Sequence, residues 1–317
     1  MSLIHDVLKT LADGERHSGV ALAAGLGVTR AAISKAVAGL ADVPISVDRK
    51  GYALPRAFRP LDEARITRLL SEHGCVLDRL WILEEVDSTN RFLLDAPGDG
   101  ICACLAERQM AGRGRRGRAW HATPYGNVML SVGFTLRGMA HSPGVLSLGA
   151  GVAVTRALRA LGVPDVALKW PNDVLWQARK LAGILIEMRG EPEAMRLVIG
   201  IGLNGTIGES AAAAIDQAWV DLRSVLPIVD RDQIAALVIT EILGVMADYR
   251  NGRADAILDE WRSRHAFAGL RVSVHTAAGT DPCVGIVQDI NEEGALILKV
   301  EGGRRVVRSG EVSVRPL

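Results

Sequence analysis

The spacing of apolar residues changes twice along the chain, and these changes divide it into three parts. Apolar residues recur at helical spacing near the start, in mixed helical and strand-like runs from Trp81 onward, and as short alternating strands beyond Gly269. A proline-bracketed segment, ALPRAFRP, separates the first part from the second. The length of 317 residues and a hydrophobic content of 49% allow a sizeable core. We therefore predict an α+β protein with domains at 1–60, 61–268 and 269–317.

The first part has the pattern of a winged helix-turn-helix. Two apolar helical repeats flank Gly14, and Thr29 is a suitable N-cap for a third helix, TRAAISKAVAGL. Alternating residues around Asp48-Arg49-Lys50-Gly51 then predict a β-hairpin with a basic tip. Residues 1–60 hold eight Lys or Arg against five acidic residues. A small helical bundle that only packs is the alternative, but the short turn, polar helix face and basic wing together favour DNA binding. The predicted DNA contacts are Thr29, Arg30, Ser34, Lys35, Arg49 and Lys50.

Several other classes of protein are disfavoured by composition. The four cysteines form no C-x-x-C pair, which favours a reducing compartment and argues against disulfides or structural zinc. Cys102 and Cys104 alternate within a strand-like run, so we expect both in the core. The start of the chain lacks the apolar run of a signal peptide, and no stretch approaches the roughly 20 apolar residues of a membrane span. We therefore expect a cytoplasmic protein without membrane contact.

The stretch AGRGRRGRAW, residues 111–120, nearly matches two phosphate-binding patterns. Both patterns need a helix directly after the glycines, because the helix N-terminus supplies the amide groups that hold phosphate. Here Pro124 and Gly126 follow within ten residues, and the chain continues as a strand-like run. A solvated surface loop and a nucleic-acid patch remain open. Arginine pairs bidentately with carboxylate and phosphate, so a loop that orders around both anions fits best.

Four further motifs accompany this loop in a characteristic order: VDSTN (86–90), KWPNDV (169–174), KLAGILIE (180–187) and GIGLN (200–204). Together they resemble the biotin protein ligase family over essentially the whole chain. The N-terminal part is similar to that of the bifunctional bacterial form, which also represses the biotin operon. The resemblance implies a winged helix-turn-helix, a central class II synthetase-like mixed sheet with helices, and a C-terminal SH3-like β-barrel.

The resemblance also implies a reaction in two steps. Biotin and ATP would form biotinyl-5′-AMP with the help of Mg²⁺, and a lysine of biotin carboxyl carrier protein would then receive the biotin. Biotinyl-AMP would act as corepressor, and the protein would bind operator DNA as a homodimer that forms after adenylate binding. A biotin-sensing transcription factor without ligase activity and a lipoate ligase are the alternatives. The intact Lys180, Asn172 and Asp173 argue against the first alternative, and the GRGRRG loop argues against the second.

Site residues follow from the same resemblance. Lys180 would be the central catalytic lysine, assisted by Arg115. The residues expected to bind biotin are Ser88, Thr89, Asn90, Gln109, Gly112, Arg113, Gly114, Arg115, Lys180 and Gly183. Those expected to bind ATP or the adenylate are Arg118, Trp120, Lys169, Asn172, Asp173 and Asn204, with Asp173 as a candidate Mg²⁺ ligand. Two structural interpretations compete with these roles: Trp120 in the core, and DSTN as a helix N-cap.

Overall fold

The computed structural model describes residues 2–40, 42–55, 58–137, 142–191, 193–276, 282–309 and 312–316. Its N-terminal domain contains three helices and a hairpin: α1 (Leu3–Leu11), α2 (Gly19–Leu26), α3 (Arg30–Ala38), β1 (Ser46–Asp48) and β2 (Gly51–Ala53). The Thr29 side chain accepts a hydrogen bond from the Ala32 amide and so caps α3, as the sequence predicts. Gly27 ends α2 with a φ of 65°, and α2 and α3 meet at 104°. This angle is typical of a helix-turn-helix.

A seven-stranded sheet forms the centre of the described chain, in the order β3-β4-β5-β9-β8-β7-β6. Its strands are β3 (Arg79–Val86), β4 (Cys102–Gln109), β5 (Val128–Leu136), β6 (Val166–Lys169), β7 (Asp173–Trp176), β8 (Arg179–Glu191) and β9 (Ala194–Leu203). The pair β3 and β4 is parallel and the other neighbours are antiparallel, which makes the sheet mixed, as expected.

Helices cover both faces of this sheet. They are α4 (Glu63–Glu72), α5 (Thr89–Asp95), α6 (Pro143–Ala160), α8 (Arg231–Arg250) and α9 (Ala254–Arg262). A further short helix, α7 (Glu209–Ala214), follows β9 in the chain. Alternate residues of β4 point to opposite faces, because side chains of a strand alternate. Ala103 and Leu105 join the main core with α6 and α8, whereas Cys102 and Cys104 pack under α5 with Leu93. The core prediction for these two cysteines is confirmed.

The C-terminal domain is a five-stranded antiparallel sheet in the order β13-β12-β11-β10-β14. Its strands are β10 (Arg271–Thr276), β11 (Cys283–Ile290), β12 (Leu296–Val300), β13 (Gly303–Val307) and β14 (Val312–Pro316). Buried residues of this sheet, such as Val272 and Leu296, belong to the same continuous core as the central domain. The α+β class is thus confirmed, and the C-terminal sheet packs against the central domain.

The N-terminal domain is also attached to the central domain by side-chain packing. Tyr125 follows the arginine loop, yet it is buried among core residues of the N-terminal domain together with Phe58. Arg59 Nε donates a hydrogen bond of 2.6 Å to the carbonyl of Ala12, at the end of α1. Among the described helices, no single one is long and apolar enough to span a membrane, although the bent pair α2 and α3 passes that test together.

Candidate functional site

A cavity of about 400 Å³ lies over the central strands β8 and β9. Three irregular segments surround it: the arginine loop, the turn at 169–173 between β6 and β7, and the segment 214–219 after α7. The cavity therefore brings together all five motifs that the sequence singled out, although they are spread over more than a hundred residues of the chain, from 86 to 204.

A carboxylate surrounded by cations lies in the middle of this cavity. Lys180 Nζ is 2.7 Å from one oxygen of Asp173, and Lys169 Nζ is 3.6 Å from the other. Arg115 donates to Asn172 Oδ1 at 3.4 Å. Burial lowers the pKa of the Arg115 guanidinium, while the Asp173 charge opposes that shift, and arginine remains charged at neutral pH. Three cations against one carboxylate leave a net positive site that suits anionic ligands.

Backbone pairing fixes Lys180 at this position. Its amide donates to the carbonyl of Ala218 at 3.0 Å, and its carbonyl accepts from the amide of Val220 at 3.0 Å. Asn204 Nδ2 donates to the carbonyls of Lys180 and Val220 at 3.2 and 3.1 Å. Asn204 thus lies at the cavity, as expected of a nucleotide contact, but its amide group holds the backbone that carries the lysine.

Asn172 has a comparable double function. Its Nδ2 donates to the carbonyl of Ile184 at 2.8 Å, and the Ile184 amide donates back to the Asn172 carbonyl at 3.0 Å. These bonds attach the turn at 169–173 to β8 and leave Asn172 Oδ1 facing Arg115. The turn can therefore present Lys169 and Asp173 at a fixed distance from Lys180.

The arginine loop closes on itself through backbone hydrogen bonds. The Gly114 amide donates to the Arg118 carbonyl at 2.7 Å, and the Trp120 amide donates to the Gly112 carbonyl at 2.9 Å. A single 3₁₀ turn at Arg115–Gly117 forms its tip, and no α-helix follows within the described residues 111–127. The exclusion of both phosphate-loop patterns is confirmed. Arg113, Arg116 and Arg118 line the cavity while remaining exposed, and Arg115 is half-buried.

Trp120 lies inside the cavity against two glycines, which face each other on β8 and β9. A Cβ atom on Gly202 would lie 2.3 Å from Trp120 Cε2, and one on Gly183 would lie 3.0 Å from Trp120 Cζ3. Lys180 Nζ stands 5.6 Å from the centre of the indole. Trp120 is half-buried, so it lines the cavity instead of filling the hydrophobic core. The space for it exists only because both strand positions are glycine.

A buried polar cluster forms the other end of the cavity. Gln109 Oε1 accepts from the Thr89 amide at 2.8 Å, and Ser131 Oγ lies 2.7 Å from Thr89 Oγ1 and 2.6 Å from Asn90 Oδ1. Asn90 Nδ2 donates to the carbonyl of Leu185 and to Glu187. Ser88 caps α5, so the competing N-cap interpretation of DSTN holds. This end can recognise a small polar group with both donors and acceptors.

Several cavity residues escaped the sequence analysis. Gly202 belongs to the GIGLN motif but was not predicted to be a site residue. Ser131 is fully buried behind Thr89 and Asn90 and does not line the cavity itself, and its only signal was a hydroxyl in an apolar run. Residues 214–219 lie between helices α7 and α8 without a motif, and the side chains of this segment that line the cavity include Asp216, Gln217 and Trp219. Their position depends on the pairing of this segment with Lys180, which no local pattern reveals.

The predicted DNA-binding residues lie on one exposed helix and one hairpin tip. Arg30, Ser34 and Lys35 are exposed on α3, and Arg49 and Lys50 are exposed at the turn of the β1–β2 hairpin. Thr29 is exposed too, but its hydroxyl caps the helix. The Asp48 carboxylate accepts from the amide of Lys50 at 2.7 Å and pairs with Arg16 at 3.0 Å, which shapes the tip.

Comparisons with known proteins agree with this geometry. Residues 84–204 match the model of the Biotin/lipoate A/B protein ligase family, and residues 269–315 match the Biotin protein ligase C terminal domain. The bifunctional ligase/repressor BirA of Escherichia coli is 37% identical over 98% of this chain and 96% of its own length. The biotin–[acetyl-CoA-carboxylase] ligase of Mycobacterium tuberculosis is 37% identical over 80% of this chain and 95% of its own.

A solved structure shows the same likeness in three dimensions. The biotin protein ligase from Aquifex aeolicus in complex with biotin and ATP superimposes with a TM-score of 0.64 at 27% identity, covering 76% of this chain and all of that one. The share of this chain outside that match, about a quarter, is comparable in size to the N-terminal domain. Identity to the bifunctional relatives extends across that domain as well, and the chain belongs to the biotin protein ligase family.

Proposed function

We propose that this protein activates biotin with ATP to biotinyl-5′-AMP and transfers the biotin to a lysine of a biotin carboxyl carrier protein. One observation carries the proposal: Lys180, Lys169 and Arg115 converge on Asp173 in the middle of a cavity that has a neutral polar end and an open cationic end. The neutral end suits the ureido ring of biotin, with Thr89 and Gln109 supplying hydrogen bonds and Ser131 supporting Thr89 from behind. The cationic end suits the phosphates.

The first step joins two anions. A carboxylate oxygen of biotin attacks the α-phosphorus of ATP, the bond from that phosphorus to the bridging oxygen breaks, and pyrophosphate leaves. Lys180 lies between the two ends of the cavity, so its ammonium can offset the repulsion between the carboxylate and the phosphate. Arg115 adds a second cation, and Trp120 provides an aromatic face for adenine. Arg113 and Arg118 extend the positive surface over the adenylate.

The second step transfers the acyl group. The neutral amine of the acceptor lysine attacks the acyl carbon, the bond to the AMP oxygen breaks, and AMP leaves as an amide forms and a proton is released. The acyl-adenylate must be kept from water until the acceptor arrives. The arginine loop, whose residues cover one side of the cavity, fits this protective function.

Magnesium fits the site as the partner of ATP. Asp173 would hold it through one carboxylate, and no cluster of three or more His, Cys, Asp or Glu side chains that could hold a metal occurs in the part of the chain that the structure describes. Mg²⁺ usually takes one or two carboxylates together with phosphates and water. The ion would neutralise phosphate charge, while Lys180 and Lys169 hold Asp173 in place.

The ligase proposal is tested by incubating the purified protein with ATP, radiolabelled biotin and a biotin acceptor domain. We expect the label on the acceptor, and a fall of about 100-fold or more in adenylate formation for Lys180→Ala. Lys299→Ala, at an exposed position of the C-terminal sheet, is the matched control and should behave as wild type. An unlabelled acceptor with the wild-type protein would refute ligation and favour a biotin sensor without activity. Labelling with lipoate instead of biotin would favour a lipoate ligase.

We further propose that the winged helix-turn-helix makes the protein a biotinyl-AMP-dependent repressor that binds operator DNA as a homodimer. The exposed cations of α3 and the hairpin tip support DNA contact. Gel shifts with operator DNA should show binding that strengthens with biotinyl-AMP and weakens steeply with salt. Binding that is insensitive to salt would contradict this. We infer a cytoplasmic location, since all four cysteines are free thiols.

A further inference from the structure

We propose that Trp170 is a positioning residue for the nucleotide half of the reaction, acting through a hydrogen bond to the C-terminal domain. The proposal rests on the ligase function proposed above. Trp170 lies between Lys169 and the pair Asn172 and Asp173, so any movement of its backbone moves the residues that face the phosphates. Its side chain is only 1% exposed.

The indole of Trp170 crosses from the central domain to the C-terminal sheet. Its Nε1 donates a buried hydrogen bond of 2.9 Å to the carbonyl of Gly294, a residue 124 positions later in the chain. Trp170 also belongs to the continuous core that includes Leu296 and Leu298 of β12. The turn at 169–173 is thus attached to the C-terminal domain by both a polar and an apolar contact.

The acceptor carbonyl lies in a rigid turn between β11 and β12. Asn291 Oδ1 accepts from the amides of Glu293 and Ala295 at 3.1 and 2.8 Å, and the Asn291 amide donates to the Ala295 carbonyl at 2.9 Å. Gly294 has a φ of 76°. The turn also touches α6 closely, because a Cβ on Gly144 would lie 2.3 Å from the Glu293 carbonyl oxygen. These contacts fix the position of the Gly294 carbonyl, which accepts the hydrogen bond from the indole of Trp170.

The biotin end of the cavity has different supports. The hydrogen bonds described for Thr89, Gln109 and Ser131 run among themselves and to Asn90, on α5, β4 and β5, and Asn90 also bonds to Leu185 and Glu187 on β8. By contrast, the turn at 169–173 is held by Trp170, by Ser147 Oγ donating to the Pro171 carbonyl at 3.1 Å, and by the Asn172 pair with β8. Loosening Trp170 should therefore weaken the nucleotide end and spare the biotin end.

The test is Trp170→Phe, which keeps an aromatic ring and removes the N–H donor. We expect the KM for ATP in adenylate formation to rise about fivefold, since one buried hydrogen bond is lost. The Kd for biotin, measured by titration without ATP, should stay unchanged. Trp81→Phe is the matched control, because Trp81 packs against Phe92 at 5.3 Å on β3 and should affect stability alone.

A second variant guards against misfolding. Asn291→Ala removes the side chain that fixes the turn carrying Gly294, so it should also raise the KM for ATP. In the double variant, the rise in KM should be smaller than the product of the two single rises. An unchanged KM for ATP in both single variants, or an equal weakening of biotin binding, overturns the proposal. Failure of the wild-type protein to form any adenylate would instead refute the ligase function, so the two failures are distinguishable.

Discussion

Replacing Glu107 by glutamine should destabilise the protein by about 3 kcal/mol, because it breaks a fully buried ion pair. Glu107 is 0% exposed, and its Oε2 lies 2.7 Å from Arg231 Nη1, whose side chain is 3% exposed. Its Oε1 accepts from the Leu61 amide at 2.6 Å. Glutamine keeps the shape but leaves the Arg231 charge without a counterion, and it places an N–H or a neutral oxygen where the Leu61 amide donates.

Urea unfolding followed by tryptophan fluorescence measures this cost. The matched control is Asp99→Asn, which removes an exposed pair with Arg137 of similar length, 2.8 Å, and should cost about 0–1 kcal/mol. Adding Arg231→Met to Glu107→Gln should recover much of the loss, because no unpaired charge then remains buried. A loss for Glu107→Gln no larger than that for Asp99→Asn would refute the reasoning.

Three further predictions concern the cavity and the C-terminal junction. Gly202→Ala should displace Trp120 and weaken adenylate binding at least about tenfold, measured by titration, since the added Cβ would meet the indole at 2.3 Å; Gly244→Ala, where nothing lies within 4 Å, should bind normally. Arg115→Ala should release biotinyl-AMP faster in a filter assay, and wild-type release would contradict this. Burial lowers the pKa of His265 to about 4 in the folded protein, below the value of 6.5 expected in the unfolded chain. As the pH falls, the histidine is therefore protonated in the unfolded chain before it is protonated in the folded protein. The free energy of unfolding should therefore fall by about 2 kcal/mol between pH 7.5 and 5 because of His265. The His265→Asn variant should not show this contribution, and an equal fall in the wild type and the variant would contradict the prediction.

Local patterns predicted much of this molecule. The Thr29 cap, the alternation around residues 48–51 and the apolar runs of β4, β5, β8 and β9 depend on neighbours within a few positions, and the structure confirms them. The arginine loop could be distinguished from a phosphate-binding loop in the sequence, because Pro124 and Gly126 disfavour a helix directly after it. Such features are determined by residues nearby in the chain, so they can be predicted from a single sequence.

The remaining features depend on contacts between distant residues. Nothing near Glu107 indicates Arg231, and nothing near Trp170 indicates Gly294, since each pair is separated by 124 positions. The short strands β6 and β7 were not predicted as a hairpin, although KWPND lies at their turn. Asn90 and Asn204 were predicted to contact ligands, but in the structure their amide donors bond to backbone carbonyls. Distinguishing a ligand contact from a backbone support requires the folded structure.

Only five positions in the sequence separate Trp120 from Tyr125, and this has a consequence for engineering. Trp120 lines the cavity, and Tyr125, five positions later, is 4% exposed within the core of the N-terminal domain. A chain trimmed of its first three helices and hairpin would leave the rings of Tyr125 and Phe58 in water, beside the arginine loop that lines the cavity. A labelling enzyme built from this protein without its DNA-binding module should therefore carry polar replacements at both positions.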